Sequence, residues 1–87
     1  MEDLDTIKAL FDKYDFKKNK SLDITDLERL FFDVLINLGE ENPEKRKYEI
    51  AKQSLNIFDK NKSGTIEFNE FWEIIYFLIV EKGFKIQ

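Results

Sequence analysis

Residues 59–70 read DKNKSGTIEFNE, and oxygen-bearing residues recur at nearly every second position of this stretch. Numbered from one to twelve, the stretch has such residues at positions 1, 3, 5, 7, 9 and 12: Asp59, Asn61, Ser63, Thr65, Glu67 and Glu70. Calcium takes six to eight oxygen ligands at about 2.3–2.6 Å, and a twelve-residue loop can wrap that number around one ion. The spacing therefore predicts a calcium site, with Mg²⁺ as the alternative ion.

Other positions of the same stretch support this interpretation. Gly64 stands sixth, where the chain must turn sharply and a positive φ costs glycine little. Thr65 can offer its backbone carbonyl at position 7, and Glu70 is long enough to give both carboxylate oxygens at position 12. A surface turn is the alternative, because Asp, Asn, Ser and Gly all suit turns. That alternative does not account for the full order, which ends with a glutamate twelfth.

Composition excludes several other kinds of site. The chain has no cysteine and no histidine, so thiolate and imidazole ligands are absent and any metal must be held by oxygen. The same absence removes the usual nucleophile and general base, and we expect no enzyme activity from this chain. The net charge of -4 argues against a nucleic-acid partner.

The stretch resembles the calcium loop of the EF-hand superfamily, and the EFWEII that closes it has the aromatic residue typical of the family after the last ligand. Apolar residues at helical spacing mark four segments around two loops: Leu4, Ile7, Leu10, Phe11 and Tyr14; Leu27, Leu30, Phe31, Val34, Leu35 and Leu38; Tyr48, Ala51, Leu55 and Phe58; Phe68, Phe71, Trp72, Ile74, Ile75, Leu78 and Ile79. The resemblance therefore implies an all-α, paired EF-hand over residues 1–87. We expect a degenerate first hand over 1–38 and a calcium-binding second hand over 44–82.

The first loop, DFKKNKSLDITD at residues 15–26, keeps only part of the ligand pattern. Its oxygen-bearing residues on the same frame are Asp15, Asn19, Ser21, Asp23 and Asp26. Lys17 replaces a ligand at position 3, and Lys20 replaces the glycine at position 6, where a left-handed conformation costs about 1–2 kcal/mol. Asp26 is one methylene shorter than glutamate at position 12. We predict a weak or absent second site in this loop.

Several local features accompany the two loops. Leu22 and Ile66 both stand at position 8, and we expect them to lie opposite each other in a short antiparallel bridge between the loops. Thr25 and Glu28 have the spacing of a capping box for the second helix. Gly39 is expected to end that helix, and Asn42-Pro43 to begin the third.

The fourth helix is apolar over almost its whole circumference, because every residue from Phe71 to Val80 except Glu73 is apolar or aromatic. One alternative is a helix buried on several sides of a small core. The other is a groove that accepts an amphipathic helical segment of a target protein, around Trp72, Tyr76, Ile79 and Val80.

Two functions follow from the resemblance. The first is a calcium sensor in signalling, a calcium-regulated interaction module that exposes apolar surface on binding its ion. The second is a calcium buffer or a constitutive light-chain-like or S100-like adaptor without a calcium switch. Because S100 proteins are dimers, a homodimer is left open. The opening MEDLDTIK is charged and no apolar run is long enough to span a bilayer, so we expect a soluble, cytoplasmic protein.

Overall fold

The computed structural model describes residues 4–84 of the chain. It contains four helices and two short strands: α1 (Leu4–Tyr14), β1 (Ser21–Leu22), α2 (Ile24–Asn37), α3 (Pro43–Phe58), β2 (Ile66–Glu67) and α4 (Phe68–Lys82). The prediction of an all-α, paired fold with a bridge between two loops is confirmed. The expected bounds of 1–87 include residues 1–3 and 85–87, which lie outside the described range.

The second helix begins and ends with recognisable caps. The Asp23 carboxylate accepts a hydrogen bond from the Asp26 N–H at 3.0 Å, and Asp26 accepts one from the Asp23 N–H at 3.3 Å. The capping box is therefore Asp23 with Asp26, and the expectation of Thr25 with Glu28 is wrong. Asp23 is the N-cap residue because it stands directly before the first helical residue, Ile24.

The loop that joins the second and third helices has the predicted residues at the end of one helix and the start of the next. Gly39 has a φ of 81°, its N–H donates to the Ile36 carbonyl, and the N–H of Glu40 donates to the Leu35 carbonyl. This pair of bonds is the Schellman ending of a helix, and it needs a left-handed residue. Pro43 is the first residue of α3, where its missing N–H costs nothing.

The bridge between the loops is a two-stranded antiparallel pairing. Leu22 lies opposite Ile66 and Ser21 lies opposite Glu67, so the predicted pairing of the two position-8 residues is confirmed. Leu22 and Ile66 are both fully buried. The two hands are thus joined at the residues that also close the core.

All four helices contribute to a single apolar core. The Phe11 ring of α1 packs edge-on against Phe68 and Phe71 of α4, with ring centroids 5.5 and 5.2 Å apart. The Tyr14 hydroxyl at the end of α1 donates a hydrogen bond to Asp33 of α2, and burial together with that bond raises its pKa. Within residues 4–84, no helix combines the length and apolar character needed to cross a membrane.

Candidate metal centre

The second loop begins with a carboxylate that α3 delivers into the interior of the fold. Asp59 follows the last residue of α3 and is only 4% exposed. Its Oδ1 accepts the N–H of Ser63 at 3.1 Å, and its Oδ2 accepts the N–H of Gly64 at 2.8 Å. Gly64 has a φ of 84°, which is the left-handed conformation predicted for position 6. The turn therefore folds around the carboxylate of position 1.

Hydrogen bonding keeps Asp59 ionised. Burial acts to raise the pKa of this carboxyl, but the N–H donors of Gly64 and Ser63 and the charge of Lys62 outweigh it, and the pKa lies below its ordinary value. An ionised oxygen donor is what a hard divalent cation requires.

Glu70 closes the second loop from the other end. It lies in the first turn of α4 and is 3% exposed. Its Oε2 accepts the N–H of Lys60 at 2.9 Å, and its Oε1 accepts the N–H of Glu67 at 3.0 Å. One carboxylate thus spans positions 2 and 9, and it ties the start of the loop to the start of α4.

The remaining predicted ligands form two groups, one around Ser63 and one across the loop. The Ser63 hydroxyl lies 3.3 Å from Asp59 Oδ1 and 3.1 Å from the Thr65 backbone carbonyl oxygen. Across the loop, the Asn61 amide donates to Glu67 at 2.9 Å. Hydrogen bonds therefore bring together oxygens from positions 1, 5 and 7 and, separately, the side chains of positions 3 and 9.

The donor chemistry of this loop fits calcium. Three oxygens from Asp59, Ser63 and Thr65 converge, and two buried carboxylates stand at its two ends. Over residues 4–84, no three acidic side chains are close enough to hold an ion among themselves. The carboxylates of Asp59 and Glu70 instead accept backbone N–H groups at the two ends of the loop.

The first loop follows the same backbone path as the second. Position 4 is left-handed in both loops, with φ of 53° at Lys18 and 56° at Lys62. Position 6 is also left-handed in both, and Lys20 adopts a φ of 68° without the freedom of glycine. Asp15 is buried, and its two oxygens accept the N–H groups of Asn19 and Lys20, as Asp59 does with positions 5 and 6. The strained turn predicted at Lys20 is confirmed.

The loops differ at positions 3 and 12. Asp26 accepts the Asp23 N–H but makes no bond to Phe16 at position 2, whereas Glu70 reaches its counterpart. The shorter Asp26 thus does not span its loop as Glu70 does. At position 3, the Lys17 ammonium bonds Asp23 at 2.6 Å. Asn19 and Ser21 bond each other, with the Ser21 hydroxyl 3.2 Å from the Asn19 amide oxygen.

Electrostatics also separates the two loops. The Lys17 ammonium and the Asp26 N–H hold the pKa of Asp23 below its ordinary value. Burial raises the pKa of Asp26, which accepts only one backbone N–H and faces the charge of Asp23. The first loop thus has one carboxylate bonded to a lysine ammonium and another whose pKa is raised by burial, a combination that the second loop lacks.

The architecture defines a class of protein, two helix–loop–helix units joined back to back through a short bridge between their loops. The family model of an EF-hand domain pair matches residues 4–76. The chain therefore belongs to the EF-hand family.

Two curated relatives are similar to almost the whole chain. They are the mitochondrial glycerol-3-phosphate dehydrogenases of Bos taurus and Macaca fascicularis, each 34% identical over 81 residues. The match covers 93% of this chain and 10% of each relative, so the chain spans about a tenth of their length. The similarity concerns one stretch of each enzyme, and the dehydrogenase name describes the whole relative.

A cleft of about 480 Å³ bounded by α2, α3 and α4 was not predicted from the sequence. Its apolar lining consists of Phe31, Val34, Leu35, Leu38, Ile50, Ile57, Phe58, Ile74, Phe77 and Leu78. Ile57 is 69% exposed and Phe77 is 44% exposed, and both were outside the predicted groove. Of that groove, Trp72, Tyr76 and Val80 share a shallow surface with Phe77, while Ile79 packs against the core.

Proposed function

We propose that this chain is a calcium-regulated binding module with one calcium site, in the loop at residues 59–70. Asp59, Asn61, Ser63, Glu67 and Glu70 would hold the ion through side-chain oxygens, and Thr65 through its backbone carbonyl. When bound, calcium supplies two positive charges to a site in which the carboxylates of Asp59 and Glu70 are buried and that of Glu67 is exposed. The observation that carries the proposal is the reach of Glu70 across the loop to the Lys60 N–H.

Glu70 also provides the link between the loop and the rest of the fold. Its carboxylate belongs to the first turn of α4, and its oxygens are bonded to backbone N–H groups at both ends of the loop. Turning either oxygen inward toward an ion requires one of these N–H bonds to lengthen, and the side chain then carries the start of α4 with it. We infer that a change at Glu70 alters the angle of α4.

The cleft between α2, α3 and α4 is the surface that such a movement would change. Along α4 it is lined by Ile74, Phe77 and Leu78, at helical spacing i, i+3 and i+4. The cleft has a volume of about 480 Å³ and a largely apolar lining. The cleft therefore suits the apolar stripe of an amphipathic helix, whose side chains recur at the same spacing.

The dehydrogenase relatives bear on whether this chain performs catalysis. In them the similar stretch is a tenth of a longer enzyme. We infer that this chain binds a partner and performs no catalysis itself. Its apolar cleft, its acidic net charge and its loop chemistry supply binding surfaces, and none of them is a catalytic constellation.

The test is a hydrophobic-dye titration with and without calcium, followed in parallel by the fluorescence of Trp72. Trp72 lies two residues beyond Glu70, stacks on Tyr76, and is the only tryptophan of the chain, so it reports on the start of α4. A sensor should bind more dye and shift its fluorescence at saturating calcium. If dye binding is unchanged although one calcium ion is shown to be bound, the sensor function is rejected and the chain is a calcium buffer or a constitutive adaptor.

A further inference from the structure

Lys17 occupies a place in the first loop that corresponds to a ligand position in the second. Its ammonium nitrogen lies 2.6 Å from Asp23 Oδ2, which joins positions 3 and 9. In the second loop the same two positions are joined by the Asn61 amide and the Glu67 carboxylate at 2.9 Å. The first loop therefore makes the same cross-loop contact with a donor that carries a full positive charge.

The other two lysines of the first loop do not share this role. The Lys18 ammonium turns back to α1, where it contacts the carbonyl oxygen and the carboxylate of Asp12 at 2.9 and 3.0 Å. Lys20 contributes its backbone N–H to Asp15. Among the side-chain contacts described for residues 15–26, only that of Lys17 joins the first four positions to the last four. Lys17 is thus the only lysine ammonium bonded within the loop.

The acceptor of this contact ties it to the second helix and to the bridge. Asp23 Oδ2 accepts Lys17, and its Oδ1 caps α2 by accepting the Asp26 N–H at 3.0 Å. The strand β1, with Leu22, lies directly before Asp23 and pairs with Ile66 of the second loop. A contact that fixes Asp23 therefore also fixes β1, the strand that pairs with β2.

We propose that the Lys17 ammonium is a built-in cation, which holds the first loop in its ion-binding shape without a metal and thereby positions the second loop through the Leu22–Ile66 bridge. Where Glu70 closes the second loop by reaching position 2, the first loop is closed by the Lys17–Asp23 pair. Lys17 is a positioning residue in this scheme. Its effect on calcium rests on the proposed site at residues 59–70, whereas its effect on the bridge does not.

The test compares three variants of the whole chain, Lys17→Met, Lys17→Arg and Lys18→Met. Methionine keeps an unbranched side chain and removes the charge, arginine keeps the charge, and Lys18→Met makes the same change at a lysine that faces α1. Amide exchange at Leu22 and Ile66 is measured by NMR in EGTA, because the proposed role needs no divalent ion. Calcium affinity is measured on the same proteins by calorimetry at low ionic strength.

Lys17→Met should speed amide exchange in the bridge by about two- to fivefold, the range expected for a pair that is partly open to solvent. It should weaken calcium binding at the single site by a similar factor. Lys17→Arg keeps the charge and should leave both the exchange rate and the calcium affinity close to those of the wild-type chain. Equal exchange in Lys17→Met and Lys18→Met overturns the built-in cation. Faster exchange with unchanged calcium affinity overturns the coupling between the loops. A wild-type chain that binds no calcium refutes the proposed function. The role of Lys17 in holding the bridge is then decided by the amide exchange rates alone.

Discussion

Replacing Glu70 with glutamine separates the charge of position 12 from its length. Both oxygens of Glu70 accept backbone N–H groups, from Lys60 at 2.9 Å and from Glu67 at 3.0 Å. Glutamine keeps one acceptor oxygen and places an NH₂ donor against the other N–H. The variant therefore loses half of a bidentate anionic ligand and leaves one backbone donor without an acceptor in a buried place.

The size of the effect on calcium binding follows from the charge of the ligand. Calcium affinity rises with the charge of the ligands, and glutamine removes one negative charge and one of two anionic oxygens at position 12. A loss of about 1.4 kcal/mol in binding free energy is tenfold in affinity. The unsatisfied donor acts instead on the metal-free chain, where it costs about 1–3 kcal/mol of stability. We expect Glu70→Gln to weaken calcium binding by at least tenfold, as measured by calorimetry with a chelator competition.

The control variants come from both loops. Glu67→Gln removes a charge from an exposed side chain that accepts one bond from Asn61, and it should weaken binding less than Glu70→Gln does. Asp26→Ala removes position 12 of the first loop and should change the strong site little. Comparable losses from Glu70→Gln and Asp26→Ala would mean that the loops share the ion, which would refute the asymmetry argued from their geometry.

Three further predictions concern the first loop, the turn glycine and the α1–α2 contact. Lys17→Asp, Lys20→Gly and Asp26→Glu together should create a second calcium site in a calorimetric titration, whereas each single change leaves two defects and should not. A triple variant that still binds one ion would show that the surroundings, and not the ligands, silence the loop. Gly64→Ala should destabilise the fold by about 1–2 kcal/mol in urea unfolding, because no atom lies within 4 Å of an added Cβ and the cost is that of a left-handed alanine; no loss of stability would contradict this. Tyr14→Phe removes a hydrogen bond to an exposed carboxylate and should cost about 0.5–1.5 kcal/mol by the same assay, and an unchanged midpoint would show that the bond is offset by solvation.

The sequence was informative wherever local geometry dictates the residue. The φ of 84° at Gly64 and the pairing of Leu22 with Ile66 follow from the register of a twelve-residue loop, which the order of the residues specifies. The strained φ of Lys20 follows from the same register. These features depend on the position of each residue in its twelve-residue loop, and a single sequence specifies that position.

Other features were not evident from the sequence, because a residue pattern does not determine which of several nearby partners a side chain bonds, or which apolar residues stay exposed. Lys17 counts as a lost ligand in the sequence, and only the folded loop shows that its ammonium reaches Asp23. The second helix is capped by Asp23, although Thr25 and Glu28 have the spacing of a capping box as well. Ile57 is exposed at the cleft, and no periodicity in the sequence marks it as a lining residue.

The claim that one loop binds and the other does not is tested most directly by counting calcium ions per chain. Calorimetry on the wild-type chain, repeated on Glu70→Gln, gives both the stoichiometry and the loop responsible. We expect one site with a dissociation constant of roughly 10⁻⁷–10⁻⁵ M, the range of EF-hand sensors, and its loss or severe weakening in Glu70→Gln. Two equal, tight sites, or one site that Glu70→Gln leaves intact, would contradict the account.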